Sequence, residues 1–278
     1  AVIGISGGID SSVCMALSVK AFGPDKVTGI IMPEKDSSPD SEELALELAS
    51  KFGVKTIKEV ITDALDGFGC YMRRDEAVKR VFPEYDPSTY KMKIGIRQSG
   101  LYSNLPPLFT LSIIDEKGVQ HDKILHAREY LQIVAASNFK QRSRMSILYY
   151  HAEALHCAVI GTPNKHEQEQ GFFVKFGDGA GDVMPIGNLY KTQVYQLADY
   201  LGVPQSIIDR TPTTDTYSAA QTQEEFFYQL PFRMMDIFWY GFENGYPPEE
   251  VAHVMGETTE RVEALFRNFD RKRRTTEY

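Results

Sequence analysis

The chain has no run of roughly 18 to 20 uninterrupted apolar residues, the length that a membrane-spanning helix requires. Its start shows no basic leader with an apolar core, so no signal peptide is assigned. Cysteine is scarce: Cys14, Cys70 and Cys157 lie far apart, with no Cys-x-x-Cys pair. That spacing excludes a disulfide framework and a zinc knuckle, and it fits a reducing, cytoplasmic compartment. Positive charge is also in deficit. Lys and Arg number 30 against 38 Asp and Glu, a formal net charge of −8, which argues against a general binder of nucleic acid or anionic membrane. Internal repeats and low-complexity segments are absent. His151, His156 and His166 lack carboxylate-flanked metal spacing and read as core or surface residues. Cys157, ahead of an apolar strand, reads as buried and inert.

With 278 residues, 42% hydrophobic and 24% charged, the chain can bury a large core without disulfides or a structural metal. One domain over residues 1–278 is expected. Because it begins at Ala1, without Met and already within a strand pattern, residues upstream are expected.

Residues 1–5 (AVIGI) read as a buried parallel strand that ends in the turn Ser6-Gly7-Gly8. A helix over 11–20 follows, stopped by Gly23-Pro24. Residues 27–32 form a second strand. Asp40 and Glu43 have capping-box spacing ahead of a helix closed by Gly53, and 54–60 form a third strand. This β-α-β-α-β order predicts an α/β fold, a doubly wound parallel sheet flanked by helices. Residues 62–130 break the rhythm with Arg73, Arg74, Lys79, Arg80, Pro106-Pro107, a strand at 109–114 and a hairpin turn at Asp115-Glu116-Lys117-Gly118. They read as an insertion or lid rather than a second domain. The pattern resumes with a helix over 131–155, a buried strand over 158–161, and a helix closed by Gly202 with Pro204 beyond. Helices at 249–255 and 259–269 are the clearest C-terminal elements.

The sharpest feature is Ser6-Gly7-Gly8-Ile9-Asp10-Ser11-Ser12, between the first strand and its helix. Two glycines let the backbone turn tightly and approach a ligand. The helix start aims unpaired N–H groups and a positive dipole end at the turn, and three serine hydroxyls add donors. This is an anion cradle for a polyphosphate. It lacks the Gly-Lys-Ser/Thr of the Walker motif, so γ-phosphate transfer is not its natural chemistry. Asp10 would repel phosphate unless a cation lay between them, and a hard divalent ion such as Mg²⁺ resolves the conflict.

SGGIDSS resembles the pyrophosphate loop of the N-type ATP pyrophosphatases, the superfamily of NAD synthetase, GMP synthetase, asparagine synthetase and several tRNA-thiolating enzymes. These cleave ATP between the α and β phosphates and adenylate an oxygen. Downstream come Arg142-Ser143-Arg144-Met145, then Gly161-Thr162 with Glu167, then Gly171-Phe172-Phe173-Val174-Lys175-Phe176-Gly177-Asp178-Gly179 with Asp182, and Pro185-Ile186-Gly187-Asn188-Leu189-Tyr190-Lys191-Thr192-Gln193-Val194. Their order strongly resembles the NAD synthetase family over roughly residues 1–61 and 131–215. The resemblance implies that Asp10 and Glu167 hold Mg²⁺ on ATP, that Gly4, Ile5, Ser6, Gly7, Gly8, Ile9, Asp10 and Ser11 cradle pyrophosphate, and that Thr162, Lys191 and Thr213 contact ATP. It also implies that Arg142, Lys175, Asp178 and Asp182 hold deamido-NAD, joined by Arg271 and Lys272 of the basic run Arg271–Arg274. Asp10, Lys175 and Lys191 are the candidate catalytic residues. The implied reaction joins ammonia to deamido-NAD through an acyl-adenylate and releases AMP and pyrophosphate. No glutaminase domain is read here, so ammonia would arrive free or from a separate glutaminase. A homodimer is implied as well, and the apolar helix over 131–155 could contribute to it. No nucleic-acid or membrane partner is expected.

The chemistry asks for these residue types on its own account. Adenylating a carboxylate brings two anions together, so lysines and a divalent cation must stabilise charge on the departing pyrophosphate. The chain departs from the family's usual pattern at Pro163 and His166, and residues 62–130 are longer than the family's. A same-fold amide ligase adenylating a different carboxylate therefore stays open. A tRNA-modifying enzyme is disfavoured by the net charge and scattered cysteines, and a non-catalytic nucleotide-binding module by Asp10, Glu167, Lys175 and Lys191 occurring together.

Overall fold

The computed structural model describes residues 1–98, 108–214 and 216–274. The chain runs β1 (Val2–Gly4), α1 (Ile9–Phe22), β2 (Thr28–Ile31), α2 (Pro39–Phe52), β3 (Lys55–Lys58), α3 (Thr62–Gly67), α4 (Cys70–Val81), β4 (Lys91–Gln98), β5 (Leu108–Ile114), β6 (Gln120–Ile124), α5 (Ala127–Leu155), β7 (Val159–Ile160), α6 (Lys165–Gln170), α7 (Lys191–Leu201), α8 (Gln205–Ile208), α9 (Phe232–Glu243), α10 (Pro248–Met255) and α11 (Thr259–Arg274). The strands β3-β2-β1-β7 pair in parallel in that order.

Alternation along the short strands fixes what covers each face. Ile3, Ile5, Ile31 and Ile160 pack with α1, α2, α7 and α8 on one side. Val2, Ile30, Met32 and Val159 pack on the other with Leu65 of α3, Tyr71 of α4, and Met145 and Leu148 of α5. Both faces are apolar and covered, as a parallel sheet demands, so the doubly wound α/β sheet is present as expected.

The connections decide where a ligand can enter. Helices α1 and α2 carry the chain outward from β1 to β2 to β3. The chain then returns through α3, α4 and α5 to β7, on the opposite side of β1. Strand order reverses between β1 and β7, and a crevice opens beyond the carboxyl ends of those strands. The turn Ser6-Gly7-Gly8 and the dipeptide Gly161-Thr162 both stand at that point.

Several boundaries differ from the sequence expectations. Helix α1 starts at Ile9 rather than Ser11, because Gly8, in extended conformation, is its N-cap. The Asp40–Glu43 capping box does not form. Helix α2 instead starts at Pro39 behind Ser38, and proline there supplies a helical φ without an orphaned N–H. The third strand is shorter than expected, Lys55–Lys58 rather than 54–60. Gly53 and Gly202 close their helices with left-handed backbone, as expected. Cys157 is half-buried rather than buried.

Residues 62–130 hold α3, α4 and a three-stranded antiparallel sheet β4-β5-β6. Ala77, Phe82, Met92, Ile94, Leu111, Ile113 and Ile133 make a core of their own between that sheet, α4 and α5. The expected strand and turn are both present, with Gly118 N–H donating to the Asp115 carbonyl at 2.9 Å. Pro106-Pro107 lies outside the described residues. The C-terminal part is helical as expected, and helix α9, with Trp239 fully buried against Phe269 of α11, is a piece of it that the sequence reading did not single out. Its buried Phe232, Met235, Phe238 and Trp239 recur at helical spacing on one face.

Gly161 and Gly181 bring two backbones into contact where β7 ends. A Cβ on Gly181 would lie 2.8 Å from both Cα and N of Gly161, and neither is the tip of a flexible side chain. Gly181→Ala should therefore lower stability by about 1–3 kcal/mol, the cost of overpacking a tight site. Urea unfolding of the two proteins checks this, and an unchanged midpoint would contradict it.

Candidate active site

A cavity of about 350 Å³ fills the crevice. Its floor is Gly4, Ile5, Ser6, Gly8 and Ser11, and Gly161 and Thr162 stand beside it. Gly7 takes φ +70°, and a Cβ there would strike the Ser41 carbonyl at 2.8 Å, so only glycine fits. No side chain caps α1. Its first N–H groups therefore face the turn without a side-chain acceptor. Ser11 and Ser12 hydroxyls donate to the Gly8 carbonyl at 3.0 and 2.8 Å, and Ser6 Oγ lies 3.3 Å from Ser11 Oγ. These hydroxyls can rotate towards an anion at the cost of weak neutral bonds.

Behind the turn sits a carboxylate pair with one ammonium. Lys191 is fully buried and donates to Asp10 Oδ2 at 2.5 Å. Burial opposes the lysine's charge, yet Asp10 and Glu167 outweigh it and hold the ammonium above its ordinary value. Asn164 Nδ2 donates to Asp10 Oδ1 at 3.1 Å, while the Asn164 side chain and the N–H of Glu167 form a capping box at the start of α6. One buried residue thus orients both carboxylates, Asp10 through its side-chain amide and Glu167 through its backbone N–H, which donates to Oε2 at 2.9 Å. Burial, and then the Asp10 charge, push the Glu167 carboxyl up to about 8. Asp236 accepts from the Thr192 N–H at 2.9 Å and meets His166 Nε2 at 2.5 Å, which fixes the start of α7 and so the place of Lys191.

A second buried network walls the opposite side. Lys140 of α5, 1% exposed, donates to Glu34 at 2.8 Å, Asp36 at 2.9 Å and the Thr216 carbonyl at 3.0 Å. Tyr71 donates to Glu34 at 2.7 Å and Arg74 to Asp36 at 2.5 Å. Burial alone would raise the Asp36 carboxyl, but Lys140 and Arg74 hold it below its ordinary value. The network ties the loop of residues 33–38, which lines the cavity, to the strand-like segment that carries Thr213.

The sequence candidates separate into groups. Gly4, Ile5, Ser6, Gly8, Ser11, Thr162, Asp178 and Thr213 line the cavity. Ile9 points into the core, and Asp10, Glu167 and Lys191 stand behind the lining. Arg142 is exposed and donates to the Lys175 carbonyl at 3.2 Å, and Lys175 lies at the surface near Phe176. Asp182 accepts from the Val159 N–H at 2.8 Å and the Tyr149 hydroxyl at 3.1 Å, a role in holding β7. Arg271 is exposed on α11. Lys272 lies over Phe227 and donates to Gln170 at 3.2 Å, and burial lowers its ammonium to about 7. This single chain does not bring Arg142, Lys175, Asp182, Arg271 or Lys272 to the cavity. Asn164, Arg144 and Arg210 were missed. Asn164-x-x-Glu167 has cap spacing that could have flagged the first, and Arg144 is the other arginine of the Arg-Ser-Arg run. Nothing local marks Arg210.

The donor set fits a hard divalent cation. Among the described residues no group of three or more His, Cys, Asp or Glu gathers around one point. Two adjacent carboxylates are what Mg²⁺ uses when phosphate oxygens complete its shell, and Asp10 and Glu167 would hold it here.

Fold, switch-point cavity and phosphate turn define the class: an enzyme with the fold of the N-type ATP pyrophosphatases. The sequence model of the NAD synthase family matches residues 1–92 and 108–276. An NH(3)-dependent NAD(+) synthetase of Mesorhizobium japonicum is 49% identical over all of this chain and 86% of its own length. One from Methanocaldococcus jannaschii is 35% identical over 98% and 85%. The chain belongs to the NAD synthase family. Among solved structures, an NMN synthetase from Francisella tularensis superposes with a TM-score of 0.62 at 25% identity, covering 100% of this chain and 86% of that one. An NH3-dependent NAD synthetase from Campylobacter jejuni gives 0.61 at 22%, with the same coverage.

Two outcomes follow from the charges. Lys140→Met leaves Glu34 and Asp36 buried without their shared cation. It should cost about 3–5 kcal/mol and raise KM for ATP more than it lowers kcat, checked by urea unfolding and steady-state kinetics. Glu167 binds a proton on folding wherever the pH lies between its unfolded value of 4.5 and its folded value of about 8. Its contribution to stability is complete below the former and lost as pH rises through the latter. Without added metal or nucleotide, Glu167→Gln should remove that decline and melt higher than the parent at alkaline pH. Parallel pH–melting curves for the two would contradict it.

Proposed function

We propose that this chain is an ammonia-dependent NAD synthetase that amidates deamido-NAD at the expense of ATP. One observation carries the reading: an uncapped helix start behind Ser6-Gly7-Gly8 faces a switch-point cavity with the carboxylate pair Asp10 and Glu167 at its back. That combination accepts a polyphosphate with its cation and offers no group suited to γ-phosphate transfer. The 49% identity to a curated enzyme of this activity supports it.

The chemistry balances without a protein nucleophile. A carboxylate oxygen of deamido-NAD attacks the α-phosphorus of ATP. The α–β bridging P–O bond breaks and its electron pair leaves on pyrophosphate. Ammonia then attacks the acyl carbon, AMP departs, and the nitrogen gives up a proton to solvent. The turn's N–H groups and the Ser6 and Ser11 hydroxyls bind phosphate oxygens. Thr162 and Thr213, on opposite walls, orient the nucleotide. Lys191 and Asn164 hold Asp10 and Glu167 in place, and those two would carry Mg²⁺. When bound, the ion supplies charge neutralisation on the phosphates. Holding both reactants in line can be worth about 7–11 kcal/mol.

The dimer implied by the resemblance belongs to this reading, supported by Leu131 and Tyr150, each 63% exposed on α5. A partner copy would bring a second chain against the exposed Arg142, Lys175 and Arg271, which lie outside the cavity of one chain. A cytoplasmic setting also belongs to it, supported by three free thiols. No helix among the described residues is long and apolar enough to cross a membrane.

With deamido-NAD, ATP, Mg²⁺ and ammonia, the protein should form NAD, AMP and pyrophosphate in equal amounts. Asp10→Asn should lower kcat/KM for ATP by about 100-fold or more, the scale of losing one electrostatic stabiliser. Absence of AMP above background with deamido-NAD, alongside turnover of another carboxylate in the same panel, would transfer the assignment to that substrate.

A further inference from the structure

The cavity's cations are not the lysines that the motifs nominate. Lys191 is committed to Asp10, and Lys175 lies at the surface. The charged residues lining the cavity are Glu34, Glu42, Arg144, Asp178 and Arg210. Arg144 stands on the α5 side, where its guanidinium donates to the Gln141 side chain at 3.2 Å and the Met32 carbonyl at 3.4 Å. Arg210 stands on the phosphate turn itself. Its Nη1 donates to the Gly7 carbonyl at 3.4 Å and its Nη2 to Ser41 Oγ at 3.0 Å. Those two oxygens are neutral, and among the described residues no carboxylate pairs with it. A half-buried guanidinium that the described residues leave without a carboxylate partner, beside a turn built for an anion, is an incomplete site.

The surroundings hold it ready. Nη1 lies 3.4 Å from the point a Gly7 Cβ would occupy, so the guanidinium packs directly against the turn's glycine. Ile207 anchors the preceding helix α8 in the main core, and Ser206 Oγ donates to Glu47 of α2 at 2.7 Å. After Arg210, Thr213 bridges Thr222. The side chain thus springs from a segment pinned on both sides and spans the turn and the start of α2. Its planar fork suits two phosphate oxygens at once.

We propose that Arg210 is a catalytic residue that receives the departing pyrophosphate. As the carboxylate–phosphorus bond forms and the α–β P–O bond breaks, the electron pair moves to the β-phosphate side, and the guanidinium stabilises it there. No proton transfer is required. The proposal rests on the amidation reading for its nucleophile, whereas its anion site does not depend on which carboxylate attacks.

The test uses full-length protein with Mg²⁺ and inorganic pyrophosphate as the probe. Arg210→Gln should lower kcat at saturating ATP by about 100-fold and weaken product inhibition by pyrophosphate at least about tenfold, while inhibition by AMP shifts less than about twofold. Arg210→Lys, which keeps the charge but not the fork, should recover most of the pyrophosphate inhibition and part of kcat. Unchanged pyrophosphate inhibition in Arg210→Gln, or equal weakening for AMP and pyrophosphate, would overturn the proposal. Calorimetric titration with magnesium pyrophosphate separates the two readings. A protein inert towards deamido-NAD that still binds pyrophosphate through Arg210 would sink the amidation reading and keep this one, whereas Arg210-independent binding would overturn the proposal itself.

Discussion

A buried ammonium holds this site together. Lys191 has no exposure and sits 2.5 Å from Asp10, so its desolvation is offset only by two carboxylates and a short hydrogen bond. Such a group is costly to bury and more costly to leave unpaired. It persists because α7 cannot place Lys191 elsewhere: Asp236 caps the start of that helix, and His166 fixes Asp236. Glu167 follows His166 directly on α6, so the same contact also places the second acid. Removing the lysine alone would leave the two acids facing each other in a poorly hydrated pocket. In the proposed reaction, a cation carried by the nucleotide would relieve the repulsion between Asp10 and Glu167, coupling substrate affinity to the order of the site.

The opposite wall solves a different problem. Residues 33–38 leave the sheet as a loop, and a loop lining a nucleotide cavity must not drift. Lys140 and Arg74 reach up from α5 and α4 to bind its two acids, and Lys140 also takes a carbonyl from the segment after Thr213. Residues 62–130 matter here, because α4 of that segment supplies Tyr71 and Arg74. The antiparallel sheet and its own core then brace α4 against α5. A part of the chain that contributes none of the phosphate-turn residues is in this way linked to the placement of the proposed substrate.

The sheet was legible in the sequence because its strands are short, apolar and punctuated by glycine, and a parallel sheet buried on both faces leaves no other pattern. The phosphate turn was legible for a related reason: Gly7 at φ +70° under a neighbouring carbonyl admits no other residue. The long-range partners were hidden. Asp236 is 70 residues from His166, and Arg210 is 203 from Gly7, so no local spacing announces either contact. Asn164 was visible as a helix cap, but capping is common and says nothing of a second bond to Asp10. Arg142 was favoured over Arg144 because the family resemblance implies a substrate contact at that position, whereas the helix of this chain turns Arg144 towards the cavity and leaves Arg142 exposed. The buried network could not be read, since Lys140, Glu34 and Arg74 look like ordinary surface charges until the fold closes over them.

All of this converges on one event, attack by an acid oxygen at the α-phosphorus of a nucleotide held on the turn after β1. Deamido-NAD labelled with ¹⁸O in its carboxylate reports on that event directly. One labelled oxygen per turnover should appear in AMP, with none in pyrophosphate. Label in pyrophosphate or inorganic phosphate, or NAD formed with unlabelled AMP, would contradict it.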